Sequence, residues 1–368
     1  MNQWMRWLGV LPLAGIMAGM LGAGSAIAQT PAAVQPRSFG EWCRQRQTLD
    51  KEAQLTVDLL LGIAGTSDCQ QANQELATMT SLMLANSNIS DLRPLAGWQN
   101  LQVLLLNNNR IRDITPLASL TNLTTLTLDT NQIADINPLA ALTKLQTLTL
   151  DTNQIADLRP LQLLQKLTNL LLYSNKISDL SPLAALTNLQ ALALHQNQIS
   201  DVSSLATLKN LQALSLYDNN ISDLSPLASL TNLKTLTLFE NQISDVSPLA
   251  ALTNLETLTL FENKIADLSP LSQLSNLNEL NLGNNPIANL KPLSSLKNLQ
   301  KLALFNTPVT DVSPLQTSTR LTNLDLYNTR VEDVTVLKSL PNLRELDLRK
   351  TPLKQKKCPV QPASVCRF

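Results

Sequence analysis

The chain of 368 residues carries a single histidine, His195, and its pattern sets Ser215 and Asp218 close by. A hydrolase would use His195 as general base and Ser215 as nucleophile. Such a site also needs an oxyanion hole and a sharply turned nucleophile. The regular sequence around Ser215 supplies neither, so no catalysis is expected. A second candidate is a column of eleven aspartates, running from Asp91 and Asp113 through Asp201 to Asp311 and Asp333. Stacked carboxylates could hold calcium. Each, however, stands just before a turn, where a carboxylate caps exposed backbone N–H groups, and Asn289 takes the same place once, which suits a cap better than a metal ligand. The third candidate is the set of four cysteines, Cys43, Cys69, Cys358 and Cys366. Their spacing is wrong for zinc and no histidine is near, so neither a metal nor a cofactor is expected.

What places these residues is a period of 22, kept from about Met79 to Leu353 without an insertion. A typical unit is LTNLTTLTLDTNQIADINPLAA, Leu120 to Ala141. Leu126 and Leu128 alternate with Thr127 and Asp129, the period of two of a strand with one buried face. Pro138 cannot sit inside a sheet, so the second half of the unit turns and returns. One column reads Ser87, then asparagine from Asn109 to Asn285, then Thr307, Thr329 and Thr351, which makes thirteen turns. Asparagine both donates and accepts, so it can satisfy backbone groups that a tight turn buries. Serine and threonine satisfy fewer, and the terminal turns are expected to be looser.

The pattern L-x-x-L-x-L-x-x-N followed by I-x-D-L-x-P-L resembles the leucine-rich repeat, in the 22-residue bacterial class of the internalins. The resemblance implies an α/β solenoid with a curved parallel sheet on its concave face and short 3-10 or irregular turns on its convex face. It also implies a partner protein held on the concave face. Both ends of such a stack need covers. Residues 38–78 have helical spacing, with Ser67 and Gln70 as a capping-box signal, and form a helical N-terminal cap. Residues 79–353 form the array, and residues 354–368 close it. Thirteen strands at about 4.8 Å put the two ends roughly 50–60 Å apart, beyond disulfide reach. The expected pairs are therefore Cys43–Cys69 and Cys358–Cys366.

The sheet column after the second strand leucine reads Asn107, Asp129, Asp151, Tyr173, His195, Tyr217, Phe239, Phe261, Gly283, Phe305, Tyr327 and Arg349. Six of the eight Phe and Tyr residues and the only histidine lie in it. Alternation points this column out of the sheet, so Phe239 is expected to stand clear of the core, in a stripe broken only at Gly283. Asp218, Glu240 and Glu262 form an acidic rim beside it, with Lys301, Arg330, Arg344, Arg349 and Lys350 toward the end. Aromatics rimmed by charge favour recognition of a macromolecule. The competing readings are a glycan site, for which Asn281, Asn284, Asn306 and Asn328 offer polar neighbours, and a spacer whose rings only stiffen the sheet.

With 28 basic against 28 acidic side chains, neither nucleic acid nor an anionic membrane is expected as the principal partner. Residues 1–28 read as an export signal, with Arg6, an apolar run, and cleavage after Ala28 following Ala26; residues 29–37 read as a linker. The apolar run is short for a bilayer span. The expected product is an exported, disulfide-capped monomer.

Overall fold

The computed structural model describes residues 38–368, so the export signal and linker expected at 1–28 and 29–37 lie outside the described residues. Three helices come first: α1 (Phe39–Arg44), α2 (Lys51–Ala64) and α3 (Cys69–Thr78). The Ser38 N–H donates to Glu41 Oε2 at 2.9 Å to start α1, and Asp50 Oδ1 accepts from the Ala53 N–H at 2.8 Å to start α2. Helix α2 buries Ala53, Thr56, Val57, Leu60 and Leu61, one face at helical spacing, and ends on Gly65 at φ +66°. The Thr56 hydroxyl donates to the Asp91 carbonyl at 2.7 Å, which ties the helices to the first repeat. The start of α3 differs from the sequence expectation. Asp68, not Ser67, is the cap, and its Oδ1 accepts from the Gln70 and Gln71 N–H groups at 2.9 and 2.8 Å. A carboxylate one residue nearer the helix takes both orphan donors and leaves the serine no role there.

Strands β1 (Ser81–Met83) to β13 (Glu345–Asp347) follow, one per repeat and three residues each. With β14 (Cys366–Arg367) they make one parallel sheet in sequence order. The register is constant, so that Thr237 faces Thr259 and Thr259 faces Asn281. The return half of each repeat is a 3-10 turn such as Ser247–Ala251, with proline at its start where a missing N–H costs nothing. A single repeat buries Leu233, Leu236, Leu238, Ile243, Val246, Leu249 and Leu252 almost completely. An unbroken aliphatic core therefore runs the length of the array.

Two polar columns hold the turns. Asn197 Nδ2 donates to the carbonyls of Leu172, Leu194 and His195 at 3.1, 3.0 and 3.2 Å, and its Oδ1 accepts from the Ile177 N–H at 3.0 Å. Toward the end, Thr307 and Thr329 are more deeply buried than Asn197, but each hydroxyl donates once, to the Leu304 and Leu326 carbonyls. The aspartates are caps: Asp201 Oδ1 accepts from the Ser203 N–H at 2.8 Å, and Asn289 Oδ1 does the same for Lys291 at 2.9 Å. Both disulfides pair as expected. Cys43–Cys69 joins α1 to α3, and Cys358–Cys366 closes the segment that returns to β14. Asn197→Ala is expected to cost about 1–3 kcal/mol in urea denaturation, because buried carbonyls and an N–H lose their partner. Amide exchange should accelerate first at Ile177, and a variant with parent-like protection there would refute the ladder's role.

Candidate functional site

Each strand ends in a tight turn whose second residue has positive φ although it is not glycine: Ser174 (53°), Gln196 (56°), Asp218 (53°), Glu240 (53°) and Glu262 (57°). The left-handed conformation costs a residue with a Cβ roughly 1–2 kcal/mol. It is held by the neighbouring turn, for the Asp218 and Glu240 N–H groups donate to the Phe239 and Phe261 carbonyls at 3.0 and 3.1 Å. The stripe residue therefore lies over the sheet, while the next residue stands at its rim.

Five of the expected residues come together as a stack. Tyr173, His195, Tyr217, Phe239 and Phe261 follow one another at centroid distances of 4.2, 4.1, 4.0 and 4.2 Å, with interplanar angles of 11–16°. Strands lie about 4.8 Å apart. The closer ring spacing is what convergence on the inside of a curved sheet produces. Phe239 stands outside the aliphatic core cluster, but the expectation of an exposed stripe is corrected here: Phe239 is 6% exposed and Phe305 is 3% exposed. Alternation gave their direction, but the rings cover one another's faces and leave water only edges.

The stripe is not broken at Gly283 either. The Phe305 ring leans across it, with Cε1 and Cζ 2.4 Å from where a Cβ on Gly283 would stand. It reaches Phe261 tilted, at 6.1 Å and 51°. Tyr327 has different company, with Arg349 and Lys350 lying 5.5 and 5.2 Å over its ring.

Hydrogen bonds tie the stack to the adjacent column. His195 Nδ1 lies 3.0 Å from Ser215 Oγ, which accepts from the Thr237 hydroxyl at 2.8 Å. The direction of the His195–Ser215 bond follows the tautomer of the ring. Burial between the tyrosines pushes the His195 pKa down to about 4. Asp151 continues the column and hydrogen-bonds the Tyr173 hydroxyl. Burial, opposed by that bond and reinforced by the charge of Asp129, raises its pKa to about 6. Burial raises the Tyr173 hydroxyl well above its ordinary range, with the Asp151 bond and charge adding to it. Burial also lifts Tyr217 to about 12. Glu240 is raised by burial and then by the like charges of Glu262 and Asp218.

Sequence reasoning missed Asp151 and Asp129 as members of the site, although both stand in the aromatic column. It also missed Thr259, which no pattern marks, and offered Asn281 only as a polar neighbour for a glycan. Asn281 and Thr259 are 2% and 1% exposed, and Asn281 Nδ2 and Thr259 Oγ1 have no hydrogen-bond partner.

The sheet, its turns and this site define a solenoid of 22-residue repeats. The leucine-rich repeat model (two copies per match) fits residues 77–119, 99–141, 121–163, 165–207, 209–251, 253–295, 275–317 and 297–339. An internalin from Listeria monocytogenes, InlF, is 34% identical, with a TM-score of 0.83 over 92% of this chain and 99% of that one. Internalin C2 of the same organism is 37% identical, with a TM-score of 0.54 over 63% of this chain and all of that one. A leucine-rich repeat protein of Leptospira interrogans is 28% identical, with a TM-score of 0.65 over 73% and 78%. Comparison with curated protein sequences returns no match. The chain belongs to the bacterial leucine-rich repeat proteins of internalin type.

The two shifted groups give stability opposite pH dependences. Asp151 binds its proton more tightly folded than unfolded, so its contribution is complete below about 3.8 and lost as pH rises through about 6. His195 is held neutral, so its contribution is complete above about 6.5 and lost as pH falls through about 4. Asp151→Asn is expected to stabilise the protein at pH 8 by up to about 3 kcal/mol, the gain vanishing toward pH 4. His195→Phe should flatten the acid side. Urea denaturation across pH 4–8 reads both, and a less stable Asp151→Asn at pH 8 would contradict the burial argument.

Proposed function

We propose that the protein is an exported binding protein that holds a partner protein of complementary, basic charge against the ring edges and the acidic rim of its sheet. Asp218, Glu240 and Glu262 carry this reading. Three successive carboxylates stand in a backbone conformation that favours asparagine or glycine, close enough for Glu240 to be raised by the other two. Folding gains nothing from that arrangement, whereas a partner's Lys or Arg would relieve it. Beside the rim, Tyr173, His195, Tyr217, Phe239 and Phe261 form a rigid edge that loses little freedom on binding. Phe305 and Tyr327 extend that edge toward the C-terminal end. Two disulfides confined to the ends, together with the similarity to Listeria internalins, favour export. No described helix is long and apolar enough to cross a membrane.

Binding is favoured over catalysis by the state of His195. Both its faces are covered by tyrosines, and a pKa near 4 leaves it a poor base at neutral pH. The spacer reading accounts for the rings, since stacked rings do support the sheet, but it leaves the like-charged rim unexplained. Three of the four polar neighbours offered to a sugar are engaged with one another, Asn306 donating to Asn284 and Asn328 to Asn306 at 2.7 and 2.9 Å, and the fourth, Asn281, is buried.

The test removes rim charge without touching the stack. Asp218→Asn with Glu240→Gln and Glu262→Gln should melt no earlier than the parent, since repulsion is relieved. Capture of the partner from the organism's envelope and medium should fall at least tenfold and lose its salt dependence. Phe239→Ala with Phe261→Ala should lose both stability and capture, because the stack serves both. Undiminished capture by the rim variant would sink the proposal.

A further inference from the structure

The column is half-buried at Thr127, Thr149, Leu171, Ala193, Ser215 and Thr237, then fully buried at Thr259, Asn281 and Ala303. The change coincides with the place where Phe305 leaves the alignment of the other rings and fills the space of a missing side chain at Gly283. Asn281 Oδ1 accepts from the Gly283 N–H at 3.2 Å, which holds the carboxamide against that gap. Its Nδ2, and the hydroxyl of Thr259 on the neighbouring strand, are buried there with no partner. A buried donor without an acceptor is costly, and native chains rarely keep one without a reason.

Resting on the protein-binding reading above, we propose that Gly283 is a vacant rung in the ring stack, a slot that takes one hydroxyl-bearing aromatic side chain of the partner, a tyrosine. Were Phe305 to stand upright like its neighbours, two stacking steps of 4.0–4.2 Å would separate it from Phe261. That space admits one planar ring, sandwiched on both faces. The tyrosine oxygen would accept from Asn281 Nδ2, a bond that phenylalanine cannot make. Glu262, next to the slot at the rim, would face a basic residue beside that tyrosine. In the free chain Phe305 occupies the slot itself, covering the gap but leaving the donors unpaired. Gly283 is the requirement, because any Cβ there meets the plug.

N-acetyl-tyrosinamide, N-acetyl-phenylalaninamide and a methyl glucoside are the probes, followed by saturation-transfer NMR on the full oxidised chain. The tyrosine amide is expected to bind in the millimolar range, about five- to tenfold more tightly than the phenylalanine amide, as one added hydrogen bond implies. Gly283→Phe supplies the missing ring and should abolish probe binding while melting no lower than the parent. Asn281→Leu, which leaves Gly283 and both flanking rings in place, should erase the preference for tyrosine, so a Gly283→Phe chain that fails to fold does not end the test. No saturation transfer up to the solubility limit would overturn the slot, as would equal binding of the two amides, survival of binding in Gly283→Phe, or saturation by the glucoside alone. Failure here separates from failure of the protein-binding reading. A Gly283→Phe chain that captures its partner as well as the parent does, while the rim variant does not, removes the slot and leaves the rim.

Discussion

In-register parallel pairing is the constraint on which everything else depends. Each sheet residue is set against the residue 22 positions further on, so a column of the sequence is a physical object in the fold. Whether that helps or harms depends on chemistry. Leucines meet leucines and the core closes. Asparagine tolerates its own repetition because one side chain both donates and accepts, linking each turn to its neighbours. Carboxylates meet carboxylates and repel. Elsewhere opposite charges are set in register, as at Glu279 with Lys301 and Glu345 with Arg367, 2.5 and 2.6 Å apart. Asp218, Glu240 and Glu262 lack that pairing, which makes the rim informative.

The same constraint, with curvature added, creates the ring stack. A flat sheet would hold rings about 4.8 Å apart, already within stacking reach. On the inside of the curve they converge to 4.0–4.2 Å and exclude water from their faces. The stack is therefore a second, smaller core on the sheet face, and it carries the second core's penalties. His195 is held neutral within it, and Asp151 is pushed toward its protonated form at one end.

The fold was legible because its signals are columnar. Asn197, Asp201 and the leucines repeat often enough that each residue's role follows from its position. The disulfides were legible because the array's length leaves two local pairs. Phe239 was read correctly in direction and wrongly in burial, since alternation says which side of a sheet a ring takes and nothing of what lies beside it. Ser67 was preferred to Asp68 because a capping box is a sequence pattern, whereas the winning acceptor is decided by which oxygen reaches two N–H groups. Asn281 was legible only as a polar neighbour of the stripe, and Thr259 had no signal at all. Their unpaired donors lie beside the leaning Phe305 ring, a side-chain placement that no spacing encodes.

A stack of finite length has two terminal faces, and these cannot be covered by a further identical ring. The two ends are closed by different means. At Tyr173 the stack meets Asp151, whose carboxyl interacts with the Tyr173 hydroxyl. At Phe261 the closure is a borrowed ring, Phe305, which meets it at 51° and not in parallel. A tilted ring covers less of its neighbour's face than a parallel one, and two buried donors nearby have no partner. Displacing Asp151 would break a hydrogen bond and strand a carboxyl, whereas displacing Phe305 would allow a better stack and a new bond.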